Sequence, residues 1–143
     1  MIYLDTSWLV KLYVDEPDSA AIQKIANSDP DVVVSDLAYV EFHSAVARRR
    51  RERSIAAKTA SSLIARFRKD WTQRIRVAVS RDVLLRAADV LAAHPLRTLD
   101  ALQLASALLL AEAAPETPRF GSSDQRLVAA AAANGLLTLA AAN

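Results

Sequence analysis

Four acidic side chains sit where strands should hand over to helices or inside the helices that follow, and together they have the makings of a metal site. Asp5 ends the apolar run Ile2-Tyr3-Leu4. Glu41 lies in Asp36-Leu-Ala-Tyr-Val-Glu41, just after Val32-Val33-Val34-Ser35. Asp100 follows Thr98-Leu99, and Asp124 follows Gly121-Ser-Ser. In an open parallel sheet, ligands bind beyond the carboxyl ends of the strands. Carboxylates gathered there repel one another unless a cation holds them. The chain has no cysteine and only 2 histidines, which excludes thiolate ligation and disfavours an all-nitrogen zinc site. Oxygen donors select a hard ion such as magnesium or manganese.

Stepping through the elements that must position these acids, Ile2 to Leu4 reads as a short buried strand, and Leu9, Val10, Tyr13 and Val14 give Thr6 to Val14 a helical spacing. Asp18 or Ser19 can cap a second helix through about Asn27, and Asp29-Pro30-Asp31 turns into the strand Val32-Val33-Val34. A long helix follows from about Asp36 to Arg51, with Leu37, Val40, Ala45 and Val46 or nearby positions on its apolar face. Ser54 is placed to cap the next helix, whose Phe67 and Trp71 should pack onto the sheet. Ile75 to Val79 reads as a strand. Ser80 caps a helix with Val83, Leu84, Ala87, Ala88 and Leu91 on one face, ending at His94-Pro95. Thr98 caps an Ala- and Leu-rich helix, Arg119-Phe-Gly121 makes a strand, and Ser122 opens a helix that Asn134-Gly135 stops. Leu136 to Leu139 supplies a last strand. Alternation of this kind predicts one α/β domain over residues 1–143, a mostly parallel sheet covered on both faces.

Taken singly, three of the acids have an ordinary structural explanation. Asp5 can be an N-cap, Asp100 lies in a first turn, and Asp124 belongs to a capping pattern. Glu41, well inside its helix, has none. His43 and His94 have no partner histidine at ligand spacing. The net charge is only +2, but Arg48-Arg-Arg-Arg51 with Arg53 forms a dense basic cluster. With no basic segment ahead of the first apolar strand and no apolar run long enough to span a bilayer, the expectation is a cytoplasmic protein away from membranes.

These segments also resemble a known family. Ile2-Tyr-Leu-Asp-Thr-Ser7, Ala38-Tyr-Val-Glu41, Leu96-Arg-Thr-Leu-Asp-Ala-Leu-Gln-Leu-Ala105 and Gly121-Ser-Ser-Asp-Gln-Arg-Leu127 look, in that order, like the acidic motifs of PIN-domain ribonucleases, in the form of VapC-type toxins of toxin–antitoxin pairs. The resemblance implies a three-layer α/β/α sandwich with a central five-stranded sheet, and metal-dependent endoribonuclease activity. It makes Asp5, Glu41, Asp100 and Asp124 the acidic site. Thr6 and Ser122 match hydroxyl positions that support the acids, with helix capping as the alternative. Arg97 could touch phosphate or steady the carboxylates. Asp5 and Asp100 would ligate Mg2+ or Mn2+ directly, with Asp124 and Glu41 acting through water or a second ion. Arg48, Arg49 and Arg51 are the candidate RNA track. A homodimer and an antitoxin whose tail lies in the groove are implied too; Trp8 reads as core or as a dimer contact, and a first-helix face with Trp8 and Tyr13 is compatible with a dimer surface. Two other readings compete. A haloacid-dehalogenase-like phosphohydrolase would want a second aspartate where Ser7 stands, and a catalytically idle PIN-like module would only sequester RNA or a protein.

Overall fold

The computed structural model describes residues 1–141. The strands β1 (Ile2–Leu4), β2 (Val32–Ser35), β3 (Ile75–Val77), β4 (Arg119–Gly121) and β5 (Leu137–Leu139) form one sheet in the order β3-β2-β1-β4-β5, every pairing parallel. The chain starts in the middle, moves outward through β2 to β3, and returns to the other side of β1 as β4. The point where the strand order reverses therefore lies between β1 and β4, and crevices open there at the carboxyl edge.

Side chains alternate across each strand. Ile2, Leu4 and Val34 face α1 (Thr6–Lys11), α2 (Ser19–Asn27), α3 (Leu37–Arg51) and α4 (Ala57–Trp71). Tyr3, Val33 and Phe120 face α5 (Arg81–Ala93), α6 (Thr98–Ala113) and α7 (Gln125–Ala133). This is the expected three-layer α/β/α sandwich, and among the described residues no helix is long and apolar enough to cross a membrane. Gly121 fixes how closely β4 and α1 can meet: a Cβ there would overlap the Trp8 ring.

Several expectations need correction. The first helix ends at Lys11, and the chain turns through Val14. Trp8 and Tyr13 are only 2% and 8% exposed, so they fill the core and offer no dimer surface. In α3 the buried positions are Ala38, Phe42 and Val46, while Val40 is 66% exposed, because the helix presents the stripe four residues apart to its neighbours. The α4 helix packs mainly on α3, within the core cluster on that face of the sheet: Phe67 stacks on Phe42 with ring centroids 3.9 Å apart. In α5 the inward stripe is Val83, Ala87 and Val90, leaving Leu84 and Leu91 exposed. Ser54 does not cap α4; its hydroxyl donates to the Arg49 carbonyl at 3.0 Å, and Ala56 precedes the helix. Thr98 is the first residue of α6, with Arg97 in the capping position and no side-chain cap bond. Ser80 does cap α5, accepting from Val83 N. Asp18 precedes α2 at φ 71°, also without a side-chain bond.

Candidate active site

Asp5 follows β1 directly, and its backbone N–H donates to the Gly121 carbonyl at 3.0 Å, so the ends of β1 and β4 are tied at the strand-order reversal. Its carboxylate caps α1 by accepting from Ser7 N, and its other oxygen accepts from the Ser122 hydroxyl at 2.6 Å. Only 6% of the residue is exposed. Burial pushes the Asp5 carboxyl up from its ordinary range, opposed by the Ser122 and Ser7 donors.

The Glu41 Oε2 accepts from the Thr6 hydroxyl at 2.5 Å and from the Gln103 amide at 2.6 Å. Thr6, the first residue of α1, thus spends its hydroxyl on an acid and not on capping. Desolvation raises the Glu41 carboxyl, these two donors oppose it, and the charges of Asp5 and Asp100 push it further up. Asp100, half-buried in the first turn of α6, is also raised, first by burial and then by the charge of Asp124; the Arg97 backbone bond and the charges of Arg97 and Arg126 oppose this. Asp124 is exposed and caps α7, accepting from Arg126 N at 2.8 Å and Leu127 N at 3.2 Å. Its own N–H donates to the Ser122 hydroxyl at 3.0 Å, and Ser122 is buried between Asp5 and Asp124.

Charge repulsion links the acids: Asp5 and Asp100 act on Glu41, and Asp124 acts on Asp100. They are not closed around a point. Among the described residues, no three acidic or histidine side chains are grouped so as to hold a metal ion together. Glu41, Thr6 and Asp100 open onto a cleft of about 880 Å³ that Arg48, Arg49 and Arg97 also line. Asp5 is buried next to Thr6 and Ser7, which line the cleft. Arg49 is paired with Glu16, which lines the same cleft. Of the three arginines of the candidate track, Arg48 and Arg49 line this cleft, while Arg51 is exposed outside it. The residue at the place a phosphohydrolase would give its second aspartate is Ser7, whose hydroxyl accepts from Ser123 N at 2.8 Å. His43 Nδ1 lies 2.7 Å from the Tyr39 carbonyl oxygen, and His94 Nε2 lies 2.8 Å from Asn134 Nδ2, both outside the acidic group.

One residue of the site had no role assigned from sequence. Gln103, 2% exposed, joins Thr6 and Glu41 on one side to the Tyr3 hydroxyl on the other. A signal was present: an amide in an apolar helix, three positions after Asp100 and so on the same face.

A family model described as PIN domain matches residues 2–133. The fold is similar to FitAcB from Neisseria gonorrhoeae, at 16% identity and a TM-score of 0.74, covering 99% of this chain and 98% of that one. It is similar to a toxin–antitoxin complex from Klebsiella pneumoniae, at 15% identity and a TM-score of 0.70, with 99% and 98% covered. VapC20 from Mycobacterium tuberculosis, described as a sarcin–ricin-loop-cleaving toxin, matches at 18% identity and a TM-score of 0.69, with 96% and 97% covered. A search of curated protein sequences finds no significant match. At these identities the solved structures speak for the fold, while the match to the family model runs through β1 to β4, the reversal point and every one of the four acids: the chain belongs to the PIN domain family.

Proposed function

We propose that this protein is a metal-dependent endoribonuclease acting as the toxin of a toxin–antitoxin pair. The observation that carries this reading is the chain of four carboxylates, linked by charge repulsion, at the strand-order reversal beside a cleft lined by arginines. A site that only bound RNA would gain nothing from negative charge facing a polyanion. The toxin assignment draws support from solved relatives described as toxin–antitoxin complexes.

The donors fit a hard divalent ion in kind, since carboxylate and hydroxyl oxygens supply the site and the partial exposure of Asp100 leaves room for an ion to keep waters. Asp5 and Asp100 would hold Mg2+ or Mn2+ directly, and Asp124 with Glu41 would hold its waters or a second ion. When bound, such an ion lowers the pKa of water and offsets charge on phosphate oxygens. The protein's own groups do the rest. Ser122 and Ser7 hold Asp5 in one orientation. Thr6 and Gln103 grip one oxygen of Glu41, leaving the other free to accept a proton. Arg97 and Arg48 sit where they can meet phosphates, and Arg49 can do so once released from Glu16.

An antitoxin tail in the cleft, a homodimer and a cytoplasmic setting belong to the same reading. The test is incubation of the purified protein with tRNA, rRNA and mRNA pools in magnesium or manganese. Discrete cleavage lost on chelation supports the reading; no cleavage in either metal refutes it.

A further inference from the structure

We propose that Gln103 is a positioning residue whose amide, aimed by the Tyr3 hydroxyl, fixes which oxygen of Glu41 faces the cleft. The inference rests on the nuclease reading above. Tyr3 OH donates to Gln103 Oε1 at 2.7 Å, and the acceptor-only carboxylate of Glu41 on the other side requires the amide nitrogen to point there. There Nε2 donates to Thr6 Oγ1 at 2.9 Å and to Glu41 Oε2 at 2.6 Å. The Thr6 hydroxyl donates to that same Oε2. Both donors thus fall on one oxygen, and Oε1 is left to the cleft that Glu41 lines.

The arrangement is rigid for physical reasons. Tyr3 is fully buried and stacks on Phe120 with ring centroids 5.7 Å apart. Burial raises its pKa, so the phenol stays a neutral donor. Gln103 is likewise enclosed, on a helix whose neighbouring residues Ala101, Leu104 and Ala105 are all buried. A flipped amide would set its oxygen 2.6 Å from Glu41 Oε2, two acceptors face to face in a buried network. Strand β1 therefore reaches the cleft by two routes: Asp5 at its end, and Tyr3 through Gln103.

The test combines kinetics with a signal that does not depend on turnover. Gln103→Leu, which keeps the approximate volume, should lower kcat by about ten- to a hundredfold, as loss of a partner orienting a site group does, with KM changed less than about twofold. Tyr3→Phe should give a smaller loss of the same kind and stands in if Gln103→Leu does not fold. In 15N spectra of side-chain amides, Gln103 should exchange slowly with solvent and shift on Glu41→Gln and Tyr3→Phe, unlike the exposed Gln23, Gln73 and Gln125. A fast-exchanging Gln103 resonance blind to both substitutions overturns the proposal, as does a folded Gln103→Leu or Tyr3→Phe protein with wild-type kcat. Absence of cleavage by the wild type would instead refute the nuclease reading, and the amide resonance would still decide whether Gln103 holds Glu41.

Discussion

The hydroxyl of Ser122 donates to Asp5 Oδ2 at 2.6 Å across 117 residues of chain. That same hydroxyl accepts from Asp124 N, so one buried oxygen links the first acid of the chain to the last. The bond closes over the gap between β1 and β4, where the strand order reverses, and it opposes the burial that pushes Asp5 towards protonation.

Replacing Ser122 by Ala should therefore act on charge as well as on stability. Asp5 loses its strongest opposing donor and its carboxyl rises further. The acid limb of the pH–rate profile should move to higher pH, and urea unfolding should show a loss of about 1–3 kcal/mol for the unpaired buried acceptor. An unchanged profile would mean that Ser122 serves the fold alone.

The raised carboxyls of Asp5, Glu41 and Asp100 give a signed prediction for stability. A carboxyl raised above its unfolded value binds its proton more tightly in the folded state. Its contribution is full below the ordinary carboxylate range and is lost as pH rises through the raised value. Without metal, the site should thus weaken the protein as pH climbs towards neutral. A divalent ion that binds the ionised carboxylates should oppose this, so the rise in Tm on adding Mn2+ should grow with pH. Tm measured across pH with Mn2+ and with chelator checks it; a metal effect that shrinks as pH rises would contradict the sign.

The arginine cluster divides by geometry. Arg48 lines the cleft and Arg51 does not. Arg48→Ala should raise KM for RNA and flatten its salt dependence by about one unit of log–log slope, whereas Arg51→Ala should leave both alone. Equal effects in the two variants would place RNA elsewhere.

Much of this arrangement was legible in the chain, and the reason is local. Asp5, Asp100 and Asp124 stand beside short strands or open helices, and punctuation such as Asp29-Pro30-Asp31 and Asn134-Gly135 marks where elements change. What escaped was decided by contacts distant in sequence. Gln103 has partners 62 to 100 residues away, and nothing in its own helix announces them. Leu37 and Val40 fit an apolar stripe as well as Ala38 and Phe42 do, and only the stacking of Phe67 on Phe42 shows which stripe turns inward. Trp8 and Tyr13 could be read as core or as a dimer surface, because the elements that cover them, β4 and α4, come much later in the chain.

Gly121 offers a test of the scaffold by itself. Gly121→Ala drives a methyl into the Trp8 ring where β4 meets α1. The cost should be about 1–3 kcal/mol, as for overpacking of a tight core, read as a lower urea midpoint with unchanged slope. A neutral result would mean that Trp8 can move aside.

The most direct measurement compares wild type and Asp5→Asn on one labelled RNA in Mg2+, with circular dichroism and Tm recorded on the same samples. The account predicts cleavage by the wild type that chelation abolishes, and a loss of at least about a hundredfold in Asp5→Asn, the lower range for removing a group that works on protons or charge at the reacting centre, with the fold retained. Wild-type cleavage that survives both chelation and a well-folded Asp5→Asn substitution would contradict it.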